Sequence, residues 1–164
     1  MHILSVILII STLSLNHALL NFRFRHRSAK AKLTVLESGS ETILHLKGAG
    51  VKKADVALWT YVEKLPPLKG NEKLMLKVRG NGKIRITAYI KINNDYRSLR
   101  TFAILGPFWN DVVLPLKNSK ALWTSNFPYA LIPEKDIDLY LFIENAQAGS
   151  IDLFLKDIQM EVEQ

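Results

Sequence analysis

Apolar and polar residues alternate with a period of two along most of the chain from residue 33 onward. This period is typical of β-strands, because successive side chains of a strand point to opposite faces of a sheet. No segment shows sustained helical periodicity, and residues 117–136 have the pattern of a long loop. The pattern predicts an all-β antiparallel sandwich or barrel of about eight or nine short strands. The predicted strands are LTVLE, TILHLKG, DVALWTYVE, KLMLKVR, KIRITAYIKI, SLRTFAIL, DVVLPL, DLYLFIEN and IDLFLKDIQMEVE.

The two most regular runs are KLMLKVR and KIRITAYIKI, which flank Gly80-Asn81-Gly82. Glycine and asparagine tolerate the positive φ angles that tight hairpin turns require. The sequence therefore predicts a hairpin at Gly80-Asn81-Gly82.

The closing run changes its phase at Lys156-Asp157. Its apolar positions are Ile151, Leu153 and Leu155 before that point, and Ile158, Met160 and Val162 after it. One extra residue in a strand has this effect, so the pattern predicts a β-bulge that lets both halves bury their apolar side chains. We expect the first half to pair with DLYLFIEN and the second half to pair with another strand.

The N-terminus begins with an uncharged apolar run, ILSVILIISTLSL, over residues 3–15. This length suits a secretory signal peptide better than a membrane span. We expect cleavage after Ala18, so that residues 1–18 form a signal peptide and the protein is secreted. The alternative is an uncleaved anchor that extends through Leu20 or Phe22, which would place the protein at a membrane. The chain has no cysteine, so disulfide scaffolds and cysteine nucleophiles are excluded.

The formal charge of +7 is concentrated near the N-terminus. Residues 19–32 form a basic arm without Asp or Glu, whereas residues 33–164 are nearly balanced. Such an arm is either a solvated linker or a docking segment for anionic polysaccharide, nucleic acid or lipid head groups. Nucleic acid is not an expected partner, because the sequence contains no recognised basic-aromatic module.

The sequence lacks the motifs of the common enzyme classes. It has no phosphate-binding glycine loop, nucleophile elbow or zinc-protease motif, and His45 is the one histidine within residues 33–164. Asp136 and Asp138 have the spacing of a sandwich glycosidase pair, but no third carboxylate completes the pattern. The sequence therefore predicts a protein that is not an enzyme.

Aromatic residues on the polar phase of the strands indicate a binding surface. Trp59 and Tyr89 lie on that phase, and Tyr89 is flanked by Arg85 and Lys91. Aromatic planes stack on the apolar faces of sugar rings, while neighbouring polar groups bind the hydroxyls. We predict a carbohydrate site formed by Tyr89, Arg85, Lys91 and Trp59, with the loop residue Trp123 as an alternative. A competing interpretation of Trp59 is that it belongs to the core.

Three segments of residues 33–164 carry a resemblance to a known family. LESG at 36–39 resembles an opening Phe-Glu-x-Gly, residues 109–116 resemble a mid-chain strand that begins with tryptophan, and residues 141–162 resemble the closing strands. The chain thus resembles the galactose-binding-like jelly-roll of carbohydrate-binding modules that are appended to glycoside hydrolases. The resemblance implies an antiparallel β-sandwich of jelly-roll type over residues 33–164.

The same resemblance implies a structural calcium ion between the first and last strands. By position, Glu37 and Asp157 would be its ligands, with Asn145 or Asp152 as further candidates. Calcium requires six to eight oxygen ligands. Lys156 replaces an acidic residue of the family and brings a positive charge to this place.

The sequence as a whole predicts a secreted, non-catalytic, lectin-like domain that binds a polysaccharide or glycan. Such modules are usually attached to an enzyme, which supports an alternative. The same fold could serve as a structural or protein-binding component of an extracellular matrix, coat or surface assembly, with extracellular proteins as partners. A small secreted hydrolase is a third class.

Overall fold

The computed structural model describes residues 10–15, 22–26, 31–65, 67–68, 70–92, 95–121 and 137–163. These residues form eleven strands and one short 3-10 turn at Leu116–Asn118, with no α-helix among them. The strands are β1 (Ile10–Ser14), β2 (Arg23–His26), β3 (Ala31–Ser38), β4 (Glu41–Val51), β5 (Val56–Leu65), β6 (Lys73–Ile92), β7 (Asp95–Leu105), β8 (Asn110–Pro115), β9 (Lys120–Ala121), β10 (Ile137–Asn145) and β11 (Gly149–Glu163).

The strands form two sheets that share β6, and every pairing is antiparallel. In the first sheet the order is β8, β6, β11, β4 and β3, and β1 pairs with the end of β11. In the second sheet the order is β2, β5, β10, β6, β7 and β9. The predicted all-β jelly-roll sandwich is confirmed.

A single apolar core contains the inward-facing side chains of both sheets. On β10, for example, Leu139, Leu141 and Ile143 are buried, while the intervening residues are partly exposed. The alternation that the sequence shows is therefore the alternation between the core and the outer faces of the sandwich. The outer faces carry the polar phase of each strand.

The hairpin predicted at Gly80-Asn81-Gly82 is wrong. Residues 73–92 form one continuous strand, β6, whose first half belongs to the first sheet and whose second half belongs to the second. Gly80 and Gly82 have φ angles of 135° and 120°, so these glycines provide the bend at which the strand passes between the sheets. The local glycine pattern is compatible with a chain reversal, whereas its physical role is this crossing.

The predicted β-bulge in the closing strand is confirmed. Asp157 has a φ of 51°, and the register with β6 shifts between Lys156 and Gln159. The apolar side chains on both sides of the bulge are buried, namely Ile151, Leu153, Leu155, Ile158 and Met160. The predicted pairing of the first half with DLYLFIEN is wrong, because this half pairs with β4 and β6 while β10 lies in the second sheet. The second half does take another partner, since it pairs with β1.

Two strands lie upstream of the domain start predicted at residue 33. β1 lies within the predicted signal peptide, where Leu15 is buried and its N–H donates to the Ile158 carbonyl at 2.8 Å. β2 lies within the predicted basic arm and pairs with β5. In the described part of the chain, no helix has the length and apolar character that a membrane span needs. Cleavage after Ala18 stays a prediction, and it would remove β1 from the sheet.

Replacing Leu15 by alanine in the full-length chain should lower the free energy of unfolding. Leu15 is 1% exposed, and a buried Leu→Ala change typically costs about 2–5 kcal/mol. Urea denaturation of the two proteins measures the difference. Val35→Ala is the matched control, because Val35 is 46% exposed on β3 and should lose well under about 1 kcal/mol. Equal losses for the two variants would contradict the placement of Leu15 in the core.

Candidate functional site

The outer face of the second sheet carries three adjacent cross-strand rows of functional side chains. The middle row runs across β2, β5, β10, β6 and β7. Trp59 lies opposite Arg23 on one side and opposite Phe142 on the other. Phe142 in turn lies opposite Thr87, which lies opposite Arg100. Directly opposed side chains on neighbouring strands are close enough to interact, so this row places two aromatic rings between two arginines.

The two flanking rows add tyrosines on one side and charges on the other. One row contains Tyr61, Tyr140 and Tyr89 on consecutive strands. The other row contains Glu144 opposite Arg85, with Arg25 further along on β2. The face therefore carries aromatic rings on the central strands β5, β10 and β6, and arginines on the outer strands β2 and β7.

The aromatic rings of these rows contact one another. The Trp59 and Phe142 rings are nearly parallel, with centroids 6.1 Å apart, and Tyr89 meets Phe142 edge-on at 5.4 Å. Tyr61 and Tyr140 lie 5.9 Å apart at an interplanar angle of 27°. Such aromatic pairs stabilise one another by about 0.5–1.5 kcal/mol beyond their buried area. Trp59, Phe142 and Tyr89 thus form one connected group, and Tyr61 and Tyr140 form a separate pair.

A depression of about 250 Å³ opens among these rows. It is lined by three aromatic residues, three arginines, one carboxylate and two small residues: Trp59, Tyr89, Phe142, Arg25, Arg85, Arg100, Glu144, Ala57 and Thr87. We call it the arginine–aromatic depression. Apolar rings and hydrogen-bond donors around one concave site are the combination that a sugar ligand requires.

Arg85 and Glu144 form an ion pair inside the depression. The Arg85 Nε donates to Glu144 Oε2 at 2.8 Å, and Nη2 donates to the same oxygen at 2.5 Å. The side chains are 27% and 18% exposed, so both are shielded from bulk water. This pairing fixes the guanidinium of Arg85 and neutralises the Glu144 carboxylate.

Arg23 covers part of the aromatic surface. Its guanidinium carbon lies 4.8 Å from the centroid of the Trp59 ring, which is a cation–π contact. Because this contact occupies one face of the indole, a sugar can use that face only if Arg23 moves. Tyr89 and Phe142 have no arginine or lysine over their rings among the described residues.

The structure brings together three of the five predicted ligand-binding residues. Tyr89, Arg85 and Trp59 line the depression, and Trp59 lies half-buried on the outer face instead of in the core. Lys91 lies on the same strand beyond Tyr89, opposite Asp138, and does not line the depression. Trp123 lies outside the described residues.

Sequence reasoning missed Phe142, Arg25 and Arg100. Phe142 and Arg100 lie on the polar phase of DLYLFIEN and SLRTFAIL, which is the same signal that indicates Trp59 and Tyr89. Arg25 belongs to the basic arm, where Phe22-Arg23-Phe24-Arg25 already alternates with a period of two. Phe22 and Phe24 pack against the core, which places the arginines outward.

The predicted calcium ligands lie in a cationic environment. The Asp157 carboxylate is 3.8 Å from Lys77 Nζ and 3.9 Å from Lys156 Nζ. Glu37 is exposed on β3, with β4 between it and β11. Among the described residues, no three His, Cys, Asp or Glu side chains cluster as metal ligands would. These side chains do not supply a calcium donor set, and calcium binding stays a prediction of the resemblance.

The two further calcium candidates already have partners. The buried Asn145 side chain bonds to backbone groups of Val56, Lys52 and Gln147. Asp152 Oδ1 lies 2.7 Å from His45 Nε2 on the first sheet, so its carboxylate is paired with the histidine.

The outer face of the first sheet is filled by stacked side chains. His45 stacks on Phe154 at 4.0 Å, and Arg79 lies over both Phe154 and Trp109. Lys156 also lies over Trp109, and its ammonium bonds to Glu41 at 2.9 Å. Arg79 and Lys156 of this face are thus engaged with rings or a carboxylate.

Comparison with known proteins gives matches at the level of structure. The family 11 carbohydrate-binding module of a cellulosomal cellulase of Clostridium thermocellum has a TM-score of 0.57 and 13% identity, over 97% of each chain. The family 11 module of the same organism in complex with a β-1,3-1,4-mixed-linked tetrasaccharide has a TM-score of 0.55 and 14% identity, over 93% of this chain and 95% of that chain. A family 30 carbohydrate-binding module has a TM-score of 0.55 and 12% identity, over 86% of this chain and 82% of that chain.

The chain has the jelly-roll fold of carbohydrate-binding modules. This confirms the resemblance that the sequence indicated for residues 33–164. No protein-family model and no curated protein sequence match the chain. At identities of this size the likeness to carbohydrate-binding modules concerns the fold, and the side chains of this jelly-roll determine its ligand.

Proposed function

We propose that the protein is a secreted, non-catalytic domain that binds a glycan in the arginine–aromatic depression. The observation that carries the proposal is the shared depression itself, in which Trp59, Phe142 and Tyr89 lie beside the donors of three arginines. The structural neighbours support it, since their names describe carbohydrate-binding modules and one of them holds a tetrasaccharide.

Binding would use the two kinds of group that the depression offers. The apolar C–H face of a sugar ring packs on the rings of Tyr89 and Phe142, which removes apolar surface of both partners from water. The guanidinium groups donate hydrogen bonds to ring or hydroxyl oxygens. Arg85 is prepared for this role because Glu144 already holds its orientation.

Tyr89→Ala is expected to weaken glycan binding about tenfold, which corresponds to ~1.4 kcal/mol. The change removes one ring of the aromatic group and its edge-on contact with Phe142. A glycan array identifies a ligand, and isothermal titration calorimetry then compares the affinities. Phe108→Ala is the matched control, because Phe108 is 78% exposed and lies away from the depression. Unchanged binding by the Tyr89 variant, or an equal loss in the control, would contradict the proposed site.

A second candidate function is a role in assembly, and exposed apolar side chains on β7 and in the turn after it favour it. Ile104 and Phe108 are 79% and 78% exposed, and Phe102 is 55% exposed on β7. Among the described residues, β9 pairs only with Arg97 and Ser98 of β7, so the edge from Leu99 onward has no strand partner on that side. Open apolar edges can pair with another chain. Absence of binding to any glycan, together with self-association in light scattering, would favour this function over glycan binding.

A further inference from the structure

The charge of the arginine–aromatic depression is unbalanced. Among the described residues, three arginines line it against the single carboxylate of Glu144, which leaves a formal charge of +2. Arg85 and Glu144 neutralise each other through their ion pair. The excess therefore belongs to Arg25 and Arg100.

Arg25 and Arg100 lie on opposite sides of the depression. Arg25 is on β2 and Arg100 is on β7, and β5, β10 and β6 lie between them. Both residues are exposed, and no described carboxylate forms an ion pair with either of them. Their guanidinium groups are thus available to a ligand from both ends of the site.

Two cations of the opposite face of the sandwich are already engaged with other side chains. Arg79 lies over the rings of Trp109 and Phe154, and Lys156 is bonded to Glu41. Free like charges facing one concave site repel each other and raise its local potential, which favours an anionic occupant.

We infer that the glycan bound in this depression is anionic, with carboxylate or sulfate groups that Arg25 and Arg100 recognise. This inference rests on the proposed function, because it uses the same depression. Carboxylates and sulfates both accept two parallel hydrogen bonds from a guanidinium, and such charge-assisted pairs are about twice as strong as neutral ones. The central rings would hold the sugar while the flanking arginines hold its charges.

Matched ligand pairs test the inference. Oligogalacturonate is compared with its methyl ester, which keeps the sugar and removes the charge, and dextran sulfate is compared with dextran. We expect at least one charged ligand to bind about tenfold more tightly than its neutral partner, by ~1.4 kcal/mol. The first pair reports recognition of carboxylates and the second reports recognition of sulfates. The affinity for the charged ligand should fall as salt is raised.

Arg25→Gln and Arg100→Gln should each lower the charged-to-neutral affinity ratio by about threefold, because the two residues share a preference of about tenfold. Lys47→Gln is the control, since it removes the same unit of charge from an exposed position on β4 of the first sheet. It should leave the ratio unchanged. Circular dichroism establishes that the three variants are folded.

The outcomes separate the inference from the proposed function. Binding to neutral glycans without preference for the charged partners overturns the inference and leaves the proposed function standing. An equal fall of the ratio in Lys47→Gln also overturns it, because the attraction would then come from the overall charge. Failure of the folded protein to bind any charged or neutral glycan overturns both.

Discussion

Gly80→Ala is expected to destabilise the protein by at least about 4 kcal/mol, a large share of the net stability of an ordinary domain. A Cβ on Gly80 would lie 1.7 Å from the Asp152 carbonyl oxygen and 2.7 Å from its carbon. The obstructing atoms are backbone atoms of β11, so they cannot move aside by rotating a side chain. The φ angle of 135° adds strain, because residues with a Cβ rarely adopt it.

Gly149→Ala separates these two causes. Gly149 has a φ of 116°, close to that of Gly80, but no atom lies within 4 Å of the position of an added Cβ. Its substitution should therefore cost only the backbone strain, about 1–3 kcal/mol. Urea denaturation and the yield of soluble protein measure both variants. If Gly80→Ala costs no more than Gly149→Ala, β6 does not pass β11 at this distance.

The result bears on the site because β6 belongs to both sheets. Its second half carries Arg85, Thr87 and Tyr89, and its first half is held between β8 and β11. The close approach at Gly80 fixes where β6 leaves the first sheet. A loss of that contact would also disturb the row that contains Tyr89, so binding should decline together with stability.

The fold class could be predicted from the sequence because alternation reports burial directly. In a two-sheet sandwich one face of each strand meets the core, and residues such as Leu139, Leu141 and Ile143 record that face. The same logic found the outward aromatic residues Trp59 and Tyr89. What alternation reports is the face of a strand, and it does not report the neighbouring strand.

Strand partners could not be predicted for this reason. Glycines at positive φ serve a hairpin or a crossing between sheets equally well, and long-range packing decides between them. The alternation disfavours a two-residue turn at Asn81-Gly82. That turn would pair the inward-facing Val78 with the outward-facing Arg85. In the same way, the short loop after β10 suggested pairing with β11, whereas the chain changes sheets there.

The sequence predicts only part of the candidate site, because the residues of the site come from five strands. Tyr89 and Arg85 share β6 and could be associated from the sequence alone. Arg25 and Arg100 are brought to them only by the order β2, β5, β10, β6, β7. Arg25 of the basic arm reaches the depression because β2 pairs with β5, and no property of the arm itself specifies this strand partner.

Asn145→Ala is expected to lower the free energy of unfolding by about 3–5 kcal/mol. Asn145 is 2% exposed at the end of β10. Its Oδ1 accepts the Val56 N–H at 2.9 Å, and its Nδ2 donates to the Lys52 and Gln147 carbonyls at 2.7 and 2.9 Å. Truncation leaves the buried Val56 amide without its acceptor, and such a group costs more than the bond that was lost.

Asn110→Ala provides the comparison for this loss. The Asn110 Nδ2 donates to the Phe108 carbonyl at 3.0 Å, but the residue is exposed and water can replace the bond. Its substitution should cost less than about 1 kcal/mol. Asn145→Asp is the sharper variant, because it keeps the shape and the acceptor for Val56 while it turns an oxygen toward two carbonyl oxygens. A neutral effect of Asn145→Asp would contradict the assigned donors.

The position of Asn145 makes this a prediction about the site as well as about stability. Its bond to Val56 fixes the start of β5 against the end of β10, and that register places Trp59 beside Phe142 three residues further into each strand. Without the bond from Val56 to Asn145, the two strand ends can separate, which loosens the parallel contact between the Trp59 and Phe142 rings. In denaturant below the unfolding midpoint, the Asn145→Ala variant should therefore lose glycan affinity before it loses its β-sheet circular dichroism signal. Simultaneous loss of both would show instead that Asn145 stabilises the sandwich as a whole without a separate effect on the rings.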